Sequence, residues 1–265
     1  MSRALRLALL LIVVGCIYLF LAHPYWFPLG VSASSASIDH QFRIAFWVFG
    51  ALFIIGHLIL ILVLSRKAHA DVDVSKGSWR LEVTWILAVT IIFFWFNISG
   101  ERLWSRMMPA ENHTGEIEVE VTGAQFQWYF RYPGADGVFG RTNAQKFAKP
   151  DEGNPLGIDP GDPAGRDDIL STAMVVPVGR PVHLHLRAQD VIHSLFIPAM
   201  RFKQDTVPGM EIHSHFTPTQ PGNYEIACAE LCGIGHYRMR AMVRVVSDDD
   251  FRKWIKAQEA AGSGH

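Results

Sequence analysis

The sequence predicts N-terminal transmembrane α-helices, then an all-β sandwich, then a short C-terminal helix. Three observations carry this. Apolar residues make up 49% of the 265-residue chain and are concentrated in its first hundred positions. From Glu116 the pattern changes to short segments in which apolar and polar residues alternate, the period-two signature of half-buried strands. Ser247-Asp-Asp-Asp250 then offers a hydroxyl cap and an acidic first turn, which mark a helix N-terminus. The net charge of −1 provides no bulk attraction for nucleic acid, so no nucleic-acid partner is expected.

The first apolar run, about residues 7–23, follows Arg3 and Arg6. It is long for the core of a signal peptide, and the nearest small-residue cleavage site, Val31-Ser-Ala33, lies well past its end. An uncleaved helix is therefore the first reading. A cleaved signal sequence, or a lipoprotein box at Val13-Val-Gly-Cys16, is the alternative. Residues 24–40 begin with Pro-Tyr-Trp-Phe-Pro and carry no Lys or Arg, which suits a membrane interface. Residues 42–65 and 81–99 are apolar runs near the roughly 20 residues that a bilayer requires. Between them, Arg66, Lys67, Lys76 and Arg80 form a short basic loop. The positive-inside rule puts that loop in the cytoplasm and everything after residue 100 outside. Residues 1–100 thus read as a membrane domain. Residues 101–115, with Pro109 and Gly115, read as a polar linker, and residues 116–265 as the second domain.

In that domain, Glu116–Thr122 alternates strictly, and Gln125–Tyr132 alternates with aromatics, which strands favour. Met174–Val178, Val182–Leu186, Ile212–Phe216, Gly222–Ala227 and Ala241–Val246 read as further strands. Several short strands separated by turn signals point to a sandwich. Residues 133–168 are rich in Gly, Pro and Asp and read as loop. Asp159, Asp162, Asp167 and Asp168 are expected as a solvated acidic surface, with calcium binding or steering of a basic partner as lesser readings. His183/His185 and His213/His215 alternate, so each pair shares one face; the first expectation is ordinary, partly exposed strand residues, with metal ligation as a lesser reading.

The chemistry concentrates in Cys228-Ala-Glu-Leu-Cys232-Gly-Ile-Gly-His236-Tyr-Arg-Met239, spaced C-x3-C-x3-H-x2-M. Thiolate, imidazole and thioether are the donors that copper takes from proteins. A mononuclear blue-copper site needs one cysteine; here there are two, enough to bridge two ions. A disulfide or a zinc site is the plainer alternative, but neither accounts for a methionine at ligand spacing. Cys16 lies apart in the first apolar run, so no disulfide framework is indicated, and no Cys-x-x-Cys-His haem-attachment motif occurs.

This loop, together with Asp190-Val-Ile-His193-Ser-Leu-Phe-Ile-Pro198 and Lys203–Gly209, resembles the binuclear copper (CuA) segment of subunit II of cytochrome c oxidase, a haem–copper oxidase family. The resemblance covers roughly residues 40–257. It implies a cupredoxin-like Greek-key sandwich and two copper ions held by His193, Cys228, Cys232, His236, Met239 and the backbone carbonyl of Glu230. It also implies that the Glu230 side chain reaches a magnesium ion shared with the catalytic subunit. The family accepts electrons from cytochrome c through a surface tryptophan. The matching position here is Phe126, with Trp128 kept two residues on. Glu82, in Glu82-Val-Thr-Trp85, resembles a family glutamate at the mouth of a proton channel, although Ile86 replaces the usual threonine. Implied partners are the haem–copper subunit I, subunit III, cytochrome c and the bilayer. The implied location is a bacterial-type plasma membrane with the copper domain on the periplasmic face. Three other readings remain: the copper subunit of a nitric oxide reductase, a copper-free quinol oxidase subunit, and a tethered copper-delivery protein.

Overall fold

The computed structural model describes residues 3–22, 28–65, 77–107, 115–143, 146 and 153–262. The basic residues Arg66, Lys67 and Lys76, the aromatics at 25–27 and Pro109 lie outside the described residues. The chain forms two compact units: Met1–Pro28 with Ser37–Arg106, and Leu29–Ala36 with Met107–His265.

The first unit contains helices α1 (Arg3–Ala22), α2 (Ser35–Ser65) and α3 (Trp79–Met107). α2 and α3 are long and apolar enough to cross a membrane; the apolar part of α1, Leu7–Ala22, is shorter. α1 packs on α2 where the Phe20 ring covers Gly50, a position with no room for a Cβ. Gln41 of α2 donates to the Ser99 hydroxyl of α3 at 2.8 Å, and Phe49 stacks on Phe96. Two boundaries differ from expectation. α2 begins seven residues before residue 42, at Ser35, where the Ser35 amide and hydroxyl both bond to the Ser32 carbonyl. α3 continues past residue 99 to Met107, into the stretch read as linker. Hydropathy locates only the apolar part of a helix, whereas Glu101, Arg102 and Leu103 are good helix formers in any solvent. His57 bonds through Nδ1 to the Phe53 carbonyl of its own helix, at 2.9 Å.

The second unit is a sandwich of two five-stranded sheets followed by a helix. In chain order the strands are β1 (Ile117–Ala124), β2 (Gln127–Tyr132), β3 (Ile169–Ser171), β4 (Met174–Pro177), β5 (Val182–Ala188), β6 (His193–Ile197), β7 (Phe202–Thr206), β8 (Ile212–Phe216), β9 (Gly222–Cys228) and β10 (Arg240–Val246). One sheet has the order β3-β2-β1-β5-β8 and the other β4-β10-β9-β6-β7. The chain passes back and forth between the sheets, and β1·β5 and β4·β10 pair in parallel. This is the Greek-key, cupredoxin-like arrangement.

Alternation places Val119, Val121, Leu184, Leu186, Val243 and Val245 in the core between the sheets. Tyr132 joins the layers: its hydroxyl donates to the Val175 carbonyl at 2.8 Å and accepts from the Val175 amide at 2.6 Å. Burial pushes its pKa well above the ordinary phenol range. Helix α4 (Asp248–Gly262) starts as its sequence indicates, with Ser247 Oγ accepting from the Asp250 amide. α4 lays Phe251 and Trp254 against Tyr132.

Leu29–Ala36, read from sequence as part of an interfacial segment, instead belongs to the sandwich. Val31 is buried in its core, its amide bonds to the Ala199 carbonyl, and its carbonyl receives the Thr219 amide. Ser32 Oγ donates to the Met200 carbonyl at 2.7 Å.

The 133–168 loop is tied down rather than freely solvated. Arg131 of β2 makes a two-pronged contact with Glu120 of β1 at 2.9 and 2.6 Å and reaches Asp168 at 2.9 Å and the Gly140 carbonyl at 2.8 Å. All three charged side chains are almost completely buried. The expectation of a solvated acidic surface is therefore corrected for Asp168, which is an internal ion-pair partner. Asp162 pairs with Arg141 and Asp159 with Lys146, and Asp167 accepts from the Asp136 amide. The acidic groups are largely spoken for within the loop.

Candidate metal centre

Two elements build the site. β9 ends at Cys228, and β6 begins at His193; they pair antiparallel with Leu195 opposite Cys228. The Ala229 amide continues this contact to the Ser194 carbonyl. The loop then turns through Gly233, at φ +130°, and returns to β10, where the Cys228 amide bonds to the Met239 carbonyl. Thus the strand ladder fixes both ends of the loop and sets His193 beside them.

The five side chains predicted as ligands converge. Cys228 Sγ lies 3.9 Å from Cys232 Sγ and 4.0 Å from His193 Nδ1. Cys232 Sγ lies 3.5 Å from His236 Nδ1 and 3.8 Å from Met239 Sδ. The Glu230 carbonyl oxygen is 3.2 Å from Cys228 Sγ. Both cysteines are free thiols, so the disulfide reading is set aside; a covalent S–S bond spans only about 2.05 Å. His193 and Met239 are fully buried and Cys232 nearly so, while Cys228 and His236 are half-buried. Two sulfurs near 4 Å apart, flanked by two imidazoles and a thioether, fit a soft metal held by both thiolates.

A supporting shell holds His193. Its Nε2 bonds to Asp190 Oδ1 at 2.8 Å, leaving Nδ1 turned toward the sulfurs. Although burial opposes its charge, hydrogen bonds from the Gln125 and Val191 amides and from His193 hold the Asp190 carboxyl below the usual carboxylate range. An ionised carboxylate on the far nitrogen fixes the tautomer and orientation of a ligating histidine. Gly123 is required beneath the ring, since a Cβ there would lie 2.9 Å from His193 Cδ2 and 3.1 Å from Trp128. Gln125 donates its side-chain amide to the Cys232 carbonyl. The roles of Asp190, Gly123 and Gln125 were not legible in advance; only the Asp190/His193 spacing of three residues offered a signal.

Phe126 and Trp128 part company. Phe126 is half-buried and lies over the loop, so that a Cβ on Gly235 would meet its ring at 2.4 Å. Trp128 is buried, edge-on to the His193 ring with centroids 6.0 Å apart. Of the two, only Phe126 reaches the surface. Glu82 lies exposed in the first turn of α3, in the other compact unit, where an acid suits the helix dipole.

Burial, followed by the neighbouring Cys228, pushes the Cys232 thiol up to about 11. Metal must therefore displace a proton from it. Copper affinity is expected to weaken as pH falls, by about tenfold per pH unit for each proton released. A competition titration against a chromophoric chelator at several pH values measures this slope; a flat profile would contradict it.

The family profile described as cytochrome c oxidase subunit II, periplasmic domain, matches residues 117–246. The alternative cytochrome c oxidase subunit 2 of Bradyrhizobium diazoefficiens is 33% identical over 267 aligned positions, covering 97% of this chain and 92% of that one. The chain belongs to the cytochrome c oxidase subunit II family. Cytochrome c oxidase subunit 2 of Cereibacter sphaeroides is 32% identical, over 66% of this chain and 60% of its own. Among solved structures, the periplasmic domain of subunit II of Bradyrhizobium japonicum cytochrome oxidase aligns at 26% identity and a TM-score of 0.42, covering 56% of this chain and 97% of that one. Its family places this subunit in a haem–copper oxidoreductase complex, and the donor cluster lies within the matched residues.

Proposed function

We propose that this chain is the subunit of a cytochrome c oxidase that receives electrons, holding a binuclear copper centre at His193, Cys228, Glu230 (through its carbonyl), Cys232, His236 and Met239. The observation that carries the reading is the convergence of two free thiols, two imidazoles and a thioether in one mostly buried cluster. Two copper ions bound by these residues would supply one-electron chemistry, by which the subunit would relay electrons from cytochrome c to haem in subunit I, where oxygen is reduced and protons are translocated.

The chain's own residues prepare the site. Cys228 and Cys232 present two sulfur donors from a loop anchored at both ends by strand pairing. Asp190 orients His193. A scaffold this rigid suits electron transfer, because preorganised ligands need little rearrangement when the charge changes. The loop's outer side is apolar: Leu231, Ile234 and Tyr237 are strongly exposed. Phe126 adjoins them over Gly233 and Gly235. This patch offers a docking surface for a soluble cytochrome, with Phe126 as the contact through which electrons enter and Trp128 packed behind it. The exposed Glu230 carboxylate suits a magnesium ion shared with subunit I, since magnesium prefers oxygen ligands. α2 and α3 anchor the subunit in a bacterial plasma membrane beside subunits I and III, with the sandwich on the periplasmic face. Its resemblance to a family glutamate supports Glu82 as the mouth of the proton channel.

The test is copper stoichiometry and electron paramagnetic resonance of the full chain in detergent. Two coppers per chain sharing one unpaired electron equally is the expected result. A single localised copper, or no binding, would overturn the reading.

A further inference from the structure

The outer face of the β3-β2-β1-β5-β8 sheet carries a second cluster of metal-binding side chains. Alternation along β5 turns Val182, Leu184 and Leu186 inward and His183 and His185 outward. On β8 the same parity turns His213 and His215 outward, in register with them: His183 faces His215 and His185 faces His213. β1 adds Glu118, opposite His183 on the other side. One ligand atom from each of His183, His185 and His213 can be chosen so that all lie within 4.8 Å of one another.

We infer that His183, His185 and His213, with Glu118 beside them, form a surface site for a divalent transition-metal ion of the zinc or copper(II) class. Three features carry this. First, His183 Nε2 and His213 Nδ1 are 3.1 Å apart. Two ligands of a tetrahedral ion with bonds of 2.0–2.1 Å are separated by about 3.3 Å, so these nitrogens need hardly move. Second, carboxylates already hold the remaining nitrogen of His183 and both nitrogens of His185. Glu118 Oε2 lies 2.8 Å from His183 Nδ1 and 2.7 Å from His185 Nε2, and Glu211 Oε1 lies 2.8 Å from His185 Nδ1. Whichever nitrogen of His185 turns to the ion, the other keeps a carboxylate, the arrangement that fixes and strengthens a histidine ligand. Third, the cluster is walled but open. The His215 ring stacks on His183 at 4.5 Å and 6°, and Phe139 lies edge-on to His185 at 5.2 Å, while the His213 side chain is 43% exposed.

The site is separate from the copper loop. Glu118 and Gly123, where a Cβ would collide with the His193 ring, are five residues apart on β1, about 16 Å along the strand. The residues fit an imidazole-rich divalent ion rather than calcium or magnesium, which take mainly oxygen ligands.

Zinc binding to the full chain in detergent tests this, in a Cys228→Ser/Cys232→Ser background that removes the thiols. The result is then independent of the copper assignment. One zinc per chain is expected, resistant to desalting, with an X-ray absorption spectrum showing imidazole ligands. His183→Gln/His213→Gln should abolish it, and Glu118→Gln should weaken it roughly 10- to 100-fold, with far-ultraviolet circular dichroism unchanged. No zinc in the parent, several weak zincs, or zinc retained by the double histidine variant would overturn the site.

Discussion

Cys232→Ser is expected to abolish the shared-spin copper signal and to lower copper affinity by more than the roughly 100-fold that loss of an outer-shell partner costs. Cys232 is the hub of the cluster. Its sulfur is within 4 Å of Cys228 Sγ, His236 Nδ1 and Met239 Sδ at once. A serine hydroxyl is a hard, weakly acidic donor that does not substitute for a thiolate toward copper. The folded apo-domain should hardly change, because serine is smaller than cysteine and the Cys232 carbonyl still receives the Gln125 side chain. The measurement is bound copper, with resonance spectra and thermal unfolding of the apo-protein in parallel. Retention of two coppers with an unchanged spectrum would remove Cys232 from the site. A collapse of apo stability would assign it a structural role instead.

Arg131→Leu is expected to destabilise the sandwich by about 3–5 kcal/mol, the cost of removing one partner from a buried ionic group. Glu120 and Asp168 would be left inside the protein without their main counter-charge, because Arg131 supplies hydrogen bonds to both. The loop over β1 and β2 would also lose its tie through the Gly140 carbonyl. The denaturation midpoint followed by tryptophan fluorescence reads the effect. Adding Glu120→Leu should recover part of the loss, since it removes one stranded charge together with the arginine. A change below about 1 kcal/mol, the range of exposed pairs, would show that water reaches the triad.

These predictions concern residues of different legibility. The candidate copper loop can be read directly because four of its proposed ligands lie within twelve positions and their donor chemistry is distinctive. Seven strands are visible because one face is buried and the other is not, which imprints alternation. β6 escapes this pattern because four of its five residues are buried. β7 is mostly polar, and β3 has only three residues.

By itself, then, the sequence determined the helix-then-sandwich order, the donor types of the candidate site and the resemblance that names the family. Only the tertiary structure decided which distant groups meet. His193 reaches the cysteines because β6 pairs with β9. Leu29–Ala36 joins the sandwich because its backbone bonds to residues more than 160 positions away. Glu116, Glu118 and Glu120 read alike as outward-facing residues of one strand, yet Glu120 is sealed under the 133–168 loop while Glu118 stays open beside three histidines. The physical reason is that alternation records which face of a sheet a residue occupies, whereas burial and charge pairing depend on what the rest of the chain lays over that face.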